Sequence, residues 1–101
     1  MIYISGPMTG IKDFNYPEFN RVTKELREQG HEVLNPVEIC NHLDNTTATW
    51  EDYMMVCLPA IDKCDTIYLL DGWEQSTGAR LELKIAKEYG LEIIYQGAKN
   101  E

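Results

Sequence analysis

Apolar and polar positions fall along the chain in blocks whose period switches between that of a strand and that of a helix. Met1-Ile2-Tyr3-Ile4-Ser5 is a short apolar run stopped by Gly6-Pro7, which predicts a buried first strand feeding a loop. Pro17 suits the first turn of a helix, and Phe19, Val22 and Leu26 then recur at helical spacing until Gly30 ends the pattern. His31-Glu32-Val33-Leu34 predicts a second strand, closed by Asn35-Pro36. Strand, helix and strand in this order make a βαβ unit, with parallel strands and a right-handed crossover.

Residues 37–49 carry no clear period, and Asn45-Thr46-Thr47 predicts an exposed loop. A loop this long in a small domain is more often functional, or a subunit contact, than idle. Thr49 and Asp52 have the spacing of a helix start, and Trp50, Tyr53, Met54, Cys57, Leu58 and Ile61 then give a broad apolar face suited to a core or a dimer contact. Pro59 removes a backbone donor and crowds the preceding turn, so a kink or a division of this helix is expected. Thr66-Ile67-Tyr68-Leu69-Leu70 is a continuous apolar run of the kind buried on both faces of a parallel sheet, and it stops at Asp71-Gly72-Trp73. A helix beginning at Ser76 and closing at Gly90 is followed by a last strand, Glu92-Ile93-Ile94-Tyr95. The order β-α-β-α-β-α-β predicts one α/β domain, a three-layer α/β/α sandwich of the flavodoxin/Rossmann-like kind, with a parallel sheet of about four strands. The domain spans residues 1–96 and leaves a polar tail at 97–101.

The stretch Ser76-Thr77-Gly78-Ala79-Arg80-Leu81-Glu82 breaks the pattern it begins. At about 100° per residue Ala79, Leu83 and Ala86 share one narrow face, and Glu82 falls among them, while Arg80, Lys84, Lys87 and Glu88 occupy the opposite arc. Glu82 is therefore a carboxylate on the inward face. Ser76 has the character of an N-cap, so free backbone N–H groups and an inward acid come together within one short stretch. Ligands in doubly wound sheets bind beyond the carboxyl ends of the strands. Those ends are the Ser5-Gly6-Pro7-Met8-Thr9-Gly10 loop, Asn35-Pro36, and residues 71–78. The two glycines of the first loop let backbone approach a ligand closely, although the loop has neither the dinucleotide nor the Walker spacing.

Composition narrows the partners. The 101 residues carry 17 acidic and 9 basic side chains, a formal net charge of −8, which disfavours polymeric nucleic acid because that binding rests on clustered Lys and Arg. A small anion can still be held by backbone N–H groups. No apolar run approaches the roughly 18 residues of a membrane span and no signal-peptide pattern opens the chain, so a cytoplasmic protein without a membrane partner is expected. Cys40, Cys57 and Cys64 cannot all pair within one chain, and no CxxC is present. Cys40, His42 and His31 fall short of recognised ligand spacings, so neither a metal nor another cofactor is expected.

Tyr3-Ile4-Ser5-Gly6-Pro7-Met8-Thr9-Gly10, taken with Leu70-Asp71-Gly72-Trp73-Glu74-Gln75-Ser76-Thr77-Gly78-Ala79-Arg80-Leu81-Glu82, resembles the nucleoside 2-deoxyribosyltransferases and the related 2'-deoxynucleoside 5'-phosphate N-hydrolases. More narrowly, it looks like a small bacterial and phage family of unknown function within that superfamily. The resemblance implies that Glu82 is the nucleophile, with Gly78 four residues before it. It also implies that Ser76 helps hold a 5'-phosphate where the transferases carry a base-contacting aspartate. Tyr3, Ser5, Gly6, Pro7, Met8, Trp73, Gly78 and Ala79 fall among the residues that would contact substrate. The chain departs from the superfamily in having Cys57 near the place of an aspartate that assists the leaving base, and in lacking an arginine in the first loop.

The implied chemistry follows the logic of a retaining glycosidase: a carboxylate attacks C1' of a 2-deoxyribosyl group while a second acid eases departure of the base, and water then completes a hydrolysis of the deoxynucleoside 5'-monophosphate or a second base completes a deoxyribosyl transfer. Asp71, at the end of the third strand, is the candidate for that second acid or for contacting sugar or base, beside its plainer reading as a turn residue before Gly72. A buried Glu82 needs a hydrogen-bond donor to remain charged, and Tyr3 or Tyr68 is placed to supply one. The expected ligand is a small nucleotide or nucleoside, and the expected assembly a homodimer or higher homo-oligomer. Two further readings stand beside the enzyme: a non-catalytic nucleotide-binding or regulatory module, and a small homo-oligomeric interaction protein.

Overall fold

The structure is a computed structural model and describes residues 1–8, 10–43 and 47–97. Four strands, β1 (Ile2–Ser5), β2 (Val33–Leu34), β3 (Thr66–Leu69) and β4 (Glu92–Tyr95), form one all-parallel sheet in the order β2-β1-β3-β4. The helices are α1 (Tyr16–Glu28), α2 (Pro36–Ile39), α3 (Trp50–Asp62) and α4 (Thr77–Glu88). The expected single-domain α/β sandwich with a four-stranded parallel sheet is what the chain forms.

Strand register explains how two cores arise from one sheet. Tyr3 pairs with Ile67 and Ser5 with Leu69, while Ile4 pairs with Tyr68. Because successive side chains leave a strand on opposite faces, residues 3, 5, 67 and 69 share one face and residues 4 and 68 the other. On the second face α1 packs Phe19, Val22 and Leu26 against Ile2, Ile4, Val33 and Leu70. On the first face α3 and α4 bring Cys57, Ala60, Ile61, Leu83 and Ala86 onto Tyr3, Ile67 and Leu69. Tyr68 therefore belongs to the α1 side and is no donor for Glu82.

Local structure differs from the sequence pattern where tertiary contacts override it. The helix α3 runs in one piece through Pro59, with Met54, Cys57, Ala60 and Ile61 buried along it, so the expected division does not occur. Its start is the capping box: the Thr49 hydroxyl accepts from the Asp52 N–H at 3.1 Å, and the Asp52 carboxylate accepts from the Thr49 N–H at 2.8 Å. The second strand is two residues long rather than four, because its partner β1 offers register only to Val33 and Leu34. The aperiodic stretch hides the single turn of α2, capped by the Asn35 side chain, which accepts from Val37 N–H at 3.0 Å. Asn45 and Thr46 of the expected loop, Thr9 of the first loop and residues 98–101 of the polar tail lie outside the described residues. No helix among the described residues is long and apolar enough to cross a membrane.

The β1 loop shows a glycine used for packing. A Cβ on Gly6 would meet Leu70 Cβ at 2.8 Å, so the loop leaves β1 pressed against the end of β3. Gly6→Ala is expected to lower unfolding free energy by about 1–3 kcal/mol, because overpacking must displace Leu70; chemical denaturation at neutral pH measures it.

Candidate functional site

The order β2-β1-β3-β4 reverses its direction of growth between β1 and β3, and at such a switch the loops leaving the two carboxyl ends diverge and open a crevice. A cavity of about 550 Å³ lies there, within the size range of small-molecule sites. It is bounded by the loop after β1, the start of α2 and Cys40, the first turns of α3, and the first turns of α4.

Glu82 forms its floor. Its side chain is 7% exposed, on the face of α4 that also buries Ala79, Leu83 and Ala86. Tyr3 and Ser5 stand two residues apart on β1 and so point to the same side. The Tyr3 hydroxyl donates to Glu82 Oε2 at 2.8 Å, and the Ser5 hydroxyl donates to Oε1 at 2.6 Å. Each carboxylate oxygen thus has a donor from β1. Burial pushes the Glu82 carboxyl from its ordinary 4.5 up to about 7, against the pull of Ser5, Tyr3 and Cys57 toward the charged form. The same burial, with the Glu82 charge, drives the Tyr3 phenol well above its ordinary value, so Tyr3 remains a proton donor.

The first turn of α4 is the second feature of the wall. The Ser76 hydroxyl accepts from Ala79 N–H at 3.1 Å, which confirms the cap, and Ser76, Thr77, Gly78 and Ala79 all line the cavity. A Cβ on Gly78 would sit 3.3 Å from Trp50 Nε1, so the missing side chain lets the indole of α3 lie against the start of α4. The N–H groups of Thr77 and Gly78 belong to the first turn, which has no intrahelical acceptors for them.

Of the residues singled out from sequence, Tyr3, Ser5, Gly6, Pro7, Met8, Ser76, Gly78, Ala79 and Glu82 come together around this cavity. Asp71 and Trp73 do not. Asp71 is exposed, its backbone N–H bonds the Gln96 side chain at 2.8 Å, and its carboxylate lies against Gly97. Trp73 stacks at a tilt on Tyr95, 5.7 Å between ring centres. Sequence reasoning missed Phe14, Tyr16, Cys40, Trp50 and Tyr53 as lining residues, whereas Gln75 falls within the strand-end stretch 71–78. The aromatic run 50–54 carried a visible signal but read as core or a dimer contact. Phe14 carried none, because it reaches the cavity through a left-handed turn in which Asp13, Phe14 and Asn15 all have positive φ. That turn is tied down by Asn15 Nδ2 donating to Pro7 O at 3.0 Å.

The lining is aromatic and nearly free of charge. Glu82 is its one carboxylate, and no Lys, Arg or His lines it among the described residues. No group of three or more His, Cys, Asp and Glu able to hold a metal ion occurs among the described residues. Planar rings suit the walls, and an anion would rely on the first turn of α4.

The raised Glu82 value has a consequence for stability. A carboxyl more easily kept neutral inside the fold contributes fully below about pH 4.5, loses that contribution as pH rises toward about 7, and is level above it. Urea unfolding of the wild type is expected to show a fall of up to about 3 kcal/mol across that window. In Glu82→Gln the fall should be absent.

Residues 1–95 match the model of a family described as a domain of unknown function, DUF4406. No curated protein matches the chain. On that match over nearly its whole length, the chain belongs to the DUF4406 family.

Proposed function

We propose that this protein is an N-glycosidase of the nucleoside 2-deoxyribosyltransferase-like superfamily, cleaving the base–sugar bond of 2'-deoxynucleoside 5'-monophosphates. The observation that carries the proposal is Glu82: a buried carboxylate on a cavity floor, with a donor on each oxygen and a pKa close to neutrality. Such a group is ionised enough near pH 7 to attack and is held in one orientation by Tyr3 and Ser5 of β1. In the proposed cycle the ionised carboxylate forms a bond to C1' as the C1'–N bond breaks, and the base leaves with the bonding pair and takes up a proton from solvent. Water then attacks C1' and gives up a proton to solvent, the glycosyl ester to Glu82 breaks, and the carboxylate is regenerated. Tyr3 and Ser5 orient the nucleophile and spread its charge. The aromatic walls, Trp50 and Tyr53 among them, suit a base, and the first turn of α4 suits the 5'-phosphate.

A second reading is favoured by one specific observation. Asp71 lies outside the cavity, and Cys57 lines it near the place where the superfamily has an acid. A nucleotide-binding module that does not turn over would have this composition. Both readings accommodate a homodimer, which the 76% exposed Met55 and the exposed Trp50 on α3 favour.

Incubation with a panel of deoxynucleoside monophosphates, followed by chromatography for free base, separates the two. The enzyme reading predicts base release that rises with pH through about 7 and falls by at least about 100-fold in Glu82→Gln. Thermal stabilisation by the same nucleotides without base release would establish the binding module instead.

A further inference from the structure

We propose that Cys40 and Cys57 are a redox-active dithiol in the wall of the Glu82 cavity, closed to a disulfide by a hydroperoxide and reopened by a thiol reductant. The proposal concerns a modification site and does not depend on whether Glu82 is a nucleophile. Its basis is placement. Cys40 follows α2 and Cys57 lies on α3, yet their sulfurs are 3.7 Å apart. A disulfide needs about 2.05 Å, so the sulfurs must close by about 1.7 Å. Both side chains are buried from bulk solvent but line the cavity, so a molecule as small as a hydroperoxide can reach them through it.

The pair is also asymmetric, as a nucleophilic and a resolving thiol should be. The contact with Cys57 holds the Cys40 thiol below its ordinary range. Cys57 is pushed far above its own range by the bond to Cys40, by burial and by the Glu82 charge. Cys57 also lies against the Glu82 carboxylate, which opposes a second negative charge beside it, so Cys40 is the sulfur that carries the charge and attacks. Its sulfur takes one peroxide oxygen as the O–O bond breaks and hydroxide leaves, giving a sulfenic acid. The Cys57 sulfur then attacks Cys40 Sγ, the S–O bond breaks, and water departs with the Cys57 proton. Two thiols lose two electrons and one hydroperoxide is reduced; with hydrogen peroxide the products are one disulfide and two waters. Cys64 is an internal control. It is buried, its S–H reaches Ala60 O at 3.5 Å, and it does not line the cavity.

The test uses the full chain, reduced, exposed to hydrogen peroxide, quenched, alkylated in denaturant and mapped by mass spectrometry. The expected result is a monomeric chain that has lost two alkylatable thiols and carries a Cys40–Cys57 cross-linked peptide, with Cys64 alkylated throughout. Dithiothreitol should restore all three thiols. In Cys57→Ser, dimedone should trap a sulfenic acid on Cys40, whereas Cys40→Ser should leave Cys57 reduced. Three alkylatable thiols after peroxide, oxidation of Cys64 as fast as Cys40, or overoxidation of Cys40 with Cys57 untouched each overturns the proposal. The wild-type map decides the matter even where a variant does not fold.

Discussion

The paired hydrogen bonds from Tyr3 and Ser5 to Glu82 are the constraint on which the arrangement of this protein turns. A carboxyl group among Ala79, Leu83 and Ala86 would cost several kcal/mol if left without partners. Both donors lie on β1, the strand at the middle of the connectivity, so satisfying Glu82 also sets the rotation of α4 about its axis and its height above the sheet. A one-residue slip of β1 would send Tyr3 and Ser5 to the α1 side and leave the acid unpartnered. The same contact that allows the carboxyl to be buried therefore enforces strand register. It also leaves the group near its point of neutrality, because two neutral hydroxyl donors offset burial only in part.

Around that contact the sheet order makes room. Diverging loops after β1 and β3 leave the cavity, and glycines at 6 and 78 let its walls close on Leu70 and Trp50 respectively. The walls contain aromatic rings and thiols but no basic side chain among the described residues, which agrees in sign with the chain's net charge of −8. Recognition of an anion in such a site rests on oriented backbone N–H groups, and recognition of a ring on stacking. Cys57 touches both chemistries: its neighbours are the Glu82 carboxylate on one side and the Cys40 thiol on the other.

Much of this was legible from residue order. The apolar runs at β1 and β3, the helical recurrence of Phe19, Val22 and Leu26, and the Ser76 cap are local signals, and each is expressed where it stands because neighbouring residues alone decide it. Glu82 was legible for the same reason, since a helix converts spacing into facing. The helix through Pro59 was not, because burial of Met54, Cys57, Ala60 and Ile61 on either side of it outweighs one missing donor.

The sequence by itself determined the α/β class, the parallel sheet and the presence of an inward carboxylate, all of which follow from periodicity within single elements. Only the tertiary structure decided between Tyr3 and Tyr68 as its donor, because that choice depends on which sheet face each strand residue takes. It also drew Asp71 and Trp73 away to Gln96, Gly97 and Tyr95, and brought Cys40, Trp50 and Phe14 in. Those placements arise from contacts between elements distant in sequence, and no spacing along the chain encodes them.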